Sequence, residues 1–378
     1  MTRMRYVLVG LTAALLLTPL AANASTHRVV PTNVTTQVTL PDKSGHVPAP
    51  PKGATDEYRC TLFNPNWTSD RLVLSNTFHA ATPEVHHAIL YLVTPSMLAT
   101  VQALDPKHKG WTCFASPLGA TSMGGLAALP WLAGWSPGHG TDTPPAGYGE
   151  YVPAGSQIVM QIHYNTLAGK KADKSSDTLV TTAAAGSTLT PLHTELYVAA
   201  PDLPCPAGVT GALCSHAASL ADLGKRFGVA AENFTKLIEA VCNGGKVPSS
   251  ASDPNATSAS CIWRVNSTYT IHRVTPHMHL LGKSFSFEVC HQDATCSDAN
   301  STQTLFVQSY SFDNQIGYDV TATTVHPGDY VKVGCSWDPT IRQFNPQLSK
   351  LPPRYITWGD GSSDEMCLAT LLVSNGQS

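Results

Sequence analysis

Hydrophobic residues along most of this chain fall in short runs, either unbroken or alternating with polar ones. Residues 71–74, 88–93 and 157–164 are apolar stretches bounded by turn residues. The same texture returns at 192–199, 268–274, 284–289, 304–307 and 330–335. Runs of this length predict β-strands, and many short strands between turn signals predict a sandwich or barrel. The 28 glycines and 28 prolines punctuate the pattern throughout. One segment breaks it. Within 229–242, Phe234, Leu237, Ile238 and Val241 recur at helical spacing. This helix lies inside 201–261, a block holding Cys205, Cys214, Cys242 and Cys261, and the block reads as a disulfide-stapled helical insertion.

The first 24 residues read as an export leader. Arg3 and Arg5 precede an apolar run, and Ala22-Asn23-Ala24 offers a cleavage site before Ser25. No other apolar run approaches the ~20 residues that a membrane helix needs, so the expectation is a secreted or periplasmic protein with no membrane contact once the leader is removed. Residues 25–55 are proline-rich and suit an edge strand and linker. The small, polar stretch 169–187 marks a boundary between a first domain, 56–180, and a second, 181–378.

Charged residues make up 13% of the chain and the net charge is −3, which argues against a basic nucleic-acid surface. Ten cysteines in an exported chain favour disulfides. Cys205–Cys214 and Cys242–Cys261 are the expected pairs of the insertion, although four cysteines allow three connectivities. Cys290 and Cys296 flank a turn and could close a hairpin.

The chemistry lies in the histidines. His86 and His87 are adjacent, His163 sits in a strand-like run, and His277-Met-His279 is an i, i+2 pair. Residues i and i+2 share one face of a strand, so His277 and His279 can chelate one metal. Adjacent His86 and His87 would point to opposite faces of an ideal strand, and can share a metal only across a twist or bulge, or by binding through different ring nitrogens. A lone histidine is most often a satisfied surface or core residue; two pairs and a fifth strand-borne histidine favour metal binding. Imidazoles suit zinc, copper, iron or nickel, and a thioether such as Met366 would tilt the choice to copper(I). Met160 and Met278 alternate with the histidines and should face away.

Taken in order, Tyr58-Arg-Cys60, His86-His87, Gly134-Trp-Ser-Pro-Gly138, Val159-Met-Gln-Ile-His163, His277-Met-His279-Leu-Leu-Gly282, Val325-His-Pro-Gly-Asp329 and Asp364-Glu-Met-Cys367 resemble the copper type II, ascorbate-dependent monooxygenases. This is the family of peptidylglycine α-hydroxylating and dopamine β-monooxygenases. The resemblance implies two antiparallel jelly-roll domains, all-β, facing each other across a solvent-filled cleft. It implies an electron-storing copper held by His86, His87 and His163. A second, oxygen-activating copper would be held by His277, His279 and Met366, which makes these three the catalytic set. It further implies disulfides Cys60–Cys113 and Cys335–Cys367, with O2 as co-substrate and ascorbate as reductant.

Departures limit the substrate. The peptide-amidating members place an Arg two residues before the H-x-H pair, and an Asn and a Tyr after the Met ligand, to hold a substrate carboxylate. Thr275, Leu368 and Thr370 stand there. A glycine-extended peptide is therefore a poor guess, and the expected partner is an unidentified small-molecule or peptide-like substrate. The alternative expectation is a non-catalytic copper-binding protein using the same ligands.

Overall fold

The computed structural model describes residues 32–375 apart from 115, 119–128, 168, 248–252 and 254. The expected leader, 1–24, lies outside the described residues.

The chain is mostly β, in several open sheets. A five-stranded antiparallel sheet has the order β5 (Trp111–Thr112), β2 (Asp56–Phe63), β8 (Gln157–Asn165), β4 (Val85–Val93), β6 (Trp131–Trp135). Its central strands are covered on both faces, which is why β4 and β8 read as unbroken apolar runs. Ala88, Leu90 and Leu92 of β4 join Ile158, Met160, Ile162 and Tyr164 of β8 in one core. Ile89, Tyr91 and Val93 join Val159 and the Cys60–Cys113 disulfide in another, on the opposite face.

A second sheet of eight strands spans the molecule. Its first part is β1 (Val34–Thr39), β9 (Ser176–Ala183), β3 (Arg71–His79) and β7 (Tyr148–Val152). Its second part is β10 (Thr190–Val198), β19 (Cys367–Asn375), β13 (Tyr269–Met278) and β16 (Tyr318–Val325). The first part packs on the five-stranded sheet. The second packs on a four-stranded sheet of β12 (Ser258–Arg264), β17 (Tyr330–Trp337), β14 (Gly282–Cys290) and β15 (Thr302–Ser309). Strand β17 alternates cleanly: Val331, Val333, Cys335 and Trp337 enter the core while Lys332, Gly334 and Ser336 do not.

Two expectations change here. The boundary expected between 180 and 181 falls inside β9, which is in full register with β1 and β3. Its polar alternation suits a strand with one covered face, and a composition reading mistook that for a linker. The sheets are also not wholly antiparallel, because β7 and β10 pair in parallel and make the eight strands one sheet.

The insertion holds two long helices, α2 (His216–Phe227) and α3 (Val229–Cys242). Only the second was expected. The first carries its own signals: Ser215 caps it by accepting from the Ala218 N–H, and Leu220, Leu223 and Phe227 share its buried stripe. Gly228, at φ +92°, makes the break between them. Helix α1 (Leu98–Leu104) and the short α4 (Ile341–Phe344) are the other helices among the described residues. All five expected disulfides form: Cys60–Cys113, Cys205–Cys214, Cys242–Cys261, Cys290–Cys296 and Cys335–Cys367. Among the described residues no helix is long and apolar enough to cross a membrane.

Candidate metal centre

The structure resolves how two adjacent histidines share a face. Val85 pairs with Tyr164 and His87 with His163, so His86 is the extra residue of a β-bulge in β4. The ring of His86 swings to the side of its neighbour. Nδ1 of His87 lies 3.4 Å from Nδ1 of His86 and 3.4 Å from Nδ1 of His163. Three nitrogens each about 2.0–2.1 Å from one ion would be spaced about 3.3–3.6 Å apart, so the triad needs little rearrangement to close on a metal. Each of the three offers a ligand atom within 4.8 Å of the others.

His163 is oriented from behind. Its Nε2 lies 2.9 Å from the Asp56 carboxylate, which also accepts from Ser362 Oγ at 2.9 Å and Asn165 Nδ2 at 3.3 Å. A carboxylate on one imidazole nitrogen leaves the other for a metal and fixes the ring's direction. The Tyr58 ring stacks on His163 with centroids 4.1 Å apart. Gln161, on the same strand face, bonds Tyr91 and the Cys113 carbonyl, and so braces the disulfide rather than a histidine. We expect Asp56→Ala to weaken metal binding at the triad by about 10–100-fold, measured by competition with a chelator, without unfolding the sheet.

The second set sits on the β13–β19 ladder. His277 pairs with Leu368 and Met278 with Cys367, and His279 and Met366 are the next residues beyond this end of the ladder. Cys367, Ala369, Leu371 and Val373 face the core between the sheets. Met366 and Leu368 therefore face the other side, where they pack with Phe234, Ile238 and Trp358. Met278 and Met160 are buried in the cores, away from the histidines, as their alternation requires. His279 Nδ1 lies 3.1 Å from the Asp364 carbonyl and His277 Nδ1 lies 2.6 Å from Gln315 Oε1. Each ring thus has its Nε2 free, and Nε2 of His279 is buried with no protein partner. Buried nitrogens without partners are costly, and a cation is the partner that such a donor set suits.

Burial, then neighbouring imidazoles, hold His86 and His87 well below the usual histidine range. Burial, then His279, pushes His277 down to about 3; burial, then His163, pushes His279 to about 4. These four rings are neutral at pH 7, with lone pairs available.

The two sets do not face each other across water. The His87 and His277 rings meet edge to face, 5.5 Å between centroids. Phe312 packs on His86 at 4.5 Å, in the same loop that brings Gln315 to His277. The Tyr58 hydroxyl donates to the Asp360 carbonyl at 2.7 Å, and Ser362 reaches Asp56, so the segment leading to Met366 is fastened to the first histidine set. The solvent-filled cleft implied by the resemblance is replaced by one continuous cluster of five imidazoles, His277 alone being partly exposed.

The insertion reaches this cluster. Arg226 of α2 makes a two-pronged ion pair with Asp364 at 2.7 and 2.8 Å, Arg354 adds a third bond at 2.8 Å, and Asp222 bridges the two guanidiniums. Glu365 accepts from the backbone N–H groups of His279 and Leu281 and from the Trp337 indole. Burial nevertheless pushes its carboxyl up to about 8. The 201–261 insertion thus buttresses the Met366 segment, through Arg226, Phe234 and Ile238.

Beside His87 and His277 opens a cavity of about 90 Å³, with Trp131, Trp135, Thr275 and Thr370 among its walls. Arg273 also lines it, on the same strand as His277, but is paired with Asp142 at 2.9 Å and Asp319 at 2.7 Å. Asp56, Gln315 and Arg226 were missed from sequence. Each stands in an ordinary polar context, and only the fold brings it to a histidine or to the Met366 segment.

No family model matches the chain, and no curated protein matches it. Among solved structures, a protein from Parabacteroides distasonis aligns at 7% identity over 91% of this chain and 89% of its own, with a TM-score of 0.21. Pumpkin seed globulin aligns at 10% identity over 86% and 78%, with a TM-score of 0.16. Tomato vicilin aligns at 6% over 86% and 76%, also at 0.16. Likenesses this loose define neither fold nor function.

Proposed function

We propose that this chain is an exported copper-dependent monooxygenase built from two jelly-roll halves. It hydroxylates an activated C–H bond of an unidentified small-molecule or peptide-like substrate, using O2 and a one-electron donor such as ascorbate. The observation that carries the reading is the convergence of five imidazoles, each presented by a strand or its immediate extension, with the buried Nε2 of His279 lacking any protein partner and Met366 next to the strand that pairs with the His277 strand. The five disulfides support export.

His86, His87 and His163 would hold one copper and His277, His279 and Met366 the other, and copper would supply one-electron redox chemistry and oxygen activation. The protein's own part is to orient and to exclude water. Asp56 and the Asp364 carbonyl fix the rings of His163 and His279. Tyr58, Phe312 and the Met366 segment close the cluster from solvent on the sides away from the cavity. The cavity walls seat the substrate next to His277. Because Arg273 is neutralised by two aspartates and Thr275, Leu368 and Thr370 carry no charge, a substrate carboxylate finds no free cation there.

Purified protein should take up about two copper ions per chain and consume O2 with ascorbate only when a substrate is present. Uptake of no copper at all would end the reading. The direct contact of His87 with His277 favours a second reading, a copper-binding protein without turnover, since it leaves little room between the two sets. That reading predicts the same copper content with no substrate-dependent oxygen uptake.

A further inference from the structure

On the far side of β2 from the histidines lies a second pocket of about 550 Å³. Its walls carry Lys43, His46, Arg59, Lys107, His108 and Lys109, against one acid, Asp42. Among the described residues Lys43, Arg59, Lys107 and Lys109 make no ion pair. In a chain with a net charge of −3 and only 23 lysines and arginines, four unpaired cations in one concavity are a concentrated field. Asp42, whose carboxylate accepts from both the backbone N–H and the hydroxyl of Ser44 and feels Lys109 and His46, offsets one of these charges and leaves the pocket positive.

The backbone that forms the pocket's walls is held in place. On one wall, the buried Asp105 accepts from the backbone N–H groups of Lys109 at 2.8 Å and Gly110 at 2.9 Å. Arg59 donates to the Lys109 carbonyl at 2.6 Å, and His108 is held in the left-handed region at φ 51°. Gly110 is pressed on β2 so closely that a Cβ there would stand 2.6 Å from the Cys60 carbonyl oxygen. On the other wall, His46 exchanges backbone bonds with Asp173 and its ring meets Glu57 at 3.0 Å. Both loops are thus fixed to the sheet, so the lysines they carry start from backbone positions already held around the concavity.

The floor is strand β2. Arg59 and Thr61 face the pocket, while Tyr58, the residue before Arg59, faces the other way and stacks on His163. A ligand in the pocket is separated from the histidine cluster by one strand.

We propose that this pocket binds a small polyoxygenated anion, and that the anion is the ascorbate-type reductant. The anion site stands on the cations and the pinned loops alone; its assignment to the reductant rests on the copper reading. The test uses the purified full chain held anaerobically with ascorbate, so that nothing remains to be reduced, with binding followed by calorimetry or saturation-transfer NMR. Inorganic phosphate is titrated in parallel, and copper content is measured on the same sample. Ascorbate should bind. The affinity should fall at least tenfold in Lys107→Glu/Lys109→Glu and should fall also in Lys43→Glu on the opposite wall. It should weaken as salt is raised from about 0.01 to 0.15 M, where the screening length drops from about 30 to 8 Å. Failure of both anions to bind, or binding indifferent to the charge reversals, overturns the site. Binding of phosphate without ascorbate overturns the reductant assignment. A chain that binds ascorbate but takes up no copper sinks the enzyme reading and leaves the anion site standing.

Discussion

Replacing Met366 with leucine should reduce substrate-dependent oxygen uptake to background, a loss of about a hundredfold or more. The side chains are close in volume, so packing against Phe234, Trp358 and Leu368 survives at a cost of under about 1.5 kcal/mol. What is lost is the sulfur, the one soft donor of the set. Met366→Ala is a poorer test, because the space it leaves in that cluster would itself cost about 2–5 kcal/mol. His279→Ala should have the same effect on turnover and should lower the copper content from about two ions to about one, since His86, His87 and His163 lie on a different sheet. X-ray absorption on the copper-loaded protein gives an independent readout: the sulfur contribution should vanish in Met366→Leu and persist in the parent. Full oxygen uptake in both variants would mean that the oxygen-activating centre has been placed on the wrong residues.

The largest loss of stability should come from Asp364→Ala. Burial pushes this carboxyl up, but Arg226 and Arg354 override it and hold it at about 2. Removing the carboxylate leaves two largely buried guanidiniums facing each other with only Asp222 between them, and a broken buried pair costs about 3–5 kcal/mol. The urea midpoint should fall accordingly. Lys236→Ala, which breaks the more exposed pair with Glu232 one turn away on α3, should shift stability by less than about 1 kcal/mol. The sign of the pH dependence follows from the depressed carboxyl. Its contribution is complete above the unfolded value near 4 and is lost as the pH falls from about 4 toward 2. An Asp364→Ala protein as stable as the parent would show that the Arg226 link to the Met366 segment carries no weight.

Much of the centre was legible in the chain because its parts are local. The i, i+2 spacing of His277 and His279 fixes a shared strand face, and Met278 between them is buried in the core as that spacing requires. The adjacency of His86 and His87 posed a conflict that a bulge, a twist or the use of different ring nitrogens could resolve, and a bulge stands there. Helix α3 was legible from its period, whereas α2 was overlooked although Ser215, Leu220, Leu223 and Phe227 mark it. The division near residue 180 was misplaced because a strand with alternating small and polar residues has the composition of a linker.

The amino-acid sequence by itself determined the elements, the disulfide candidates and the six side chains worth suspecting, because periodicity, turn chemistry and residue type act within a few positions. Only the tertiary structure decided that His87 touches His277 across 190 positions, that Asp56 and Gln315 aim the rings, and that an insertion helix grips the segment before Met366. Those contacts depend on how two sheets pack and on which faces remain to be covered. Packing selects among many polar residues of equal local character, and no local pattern records which one it will choose.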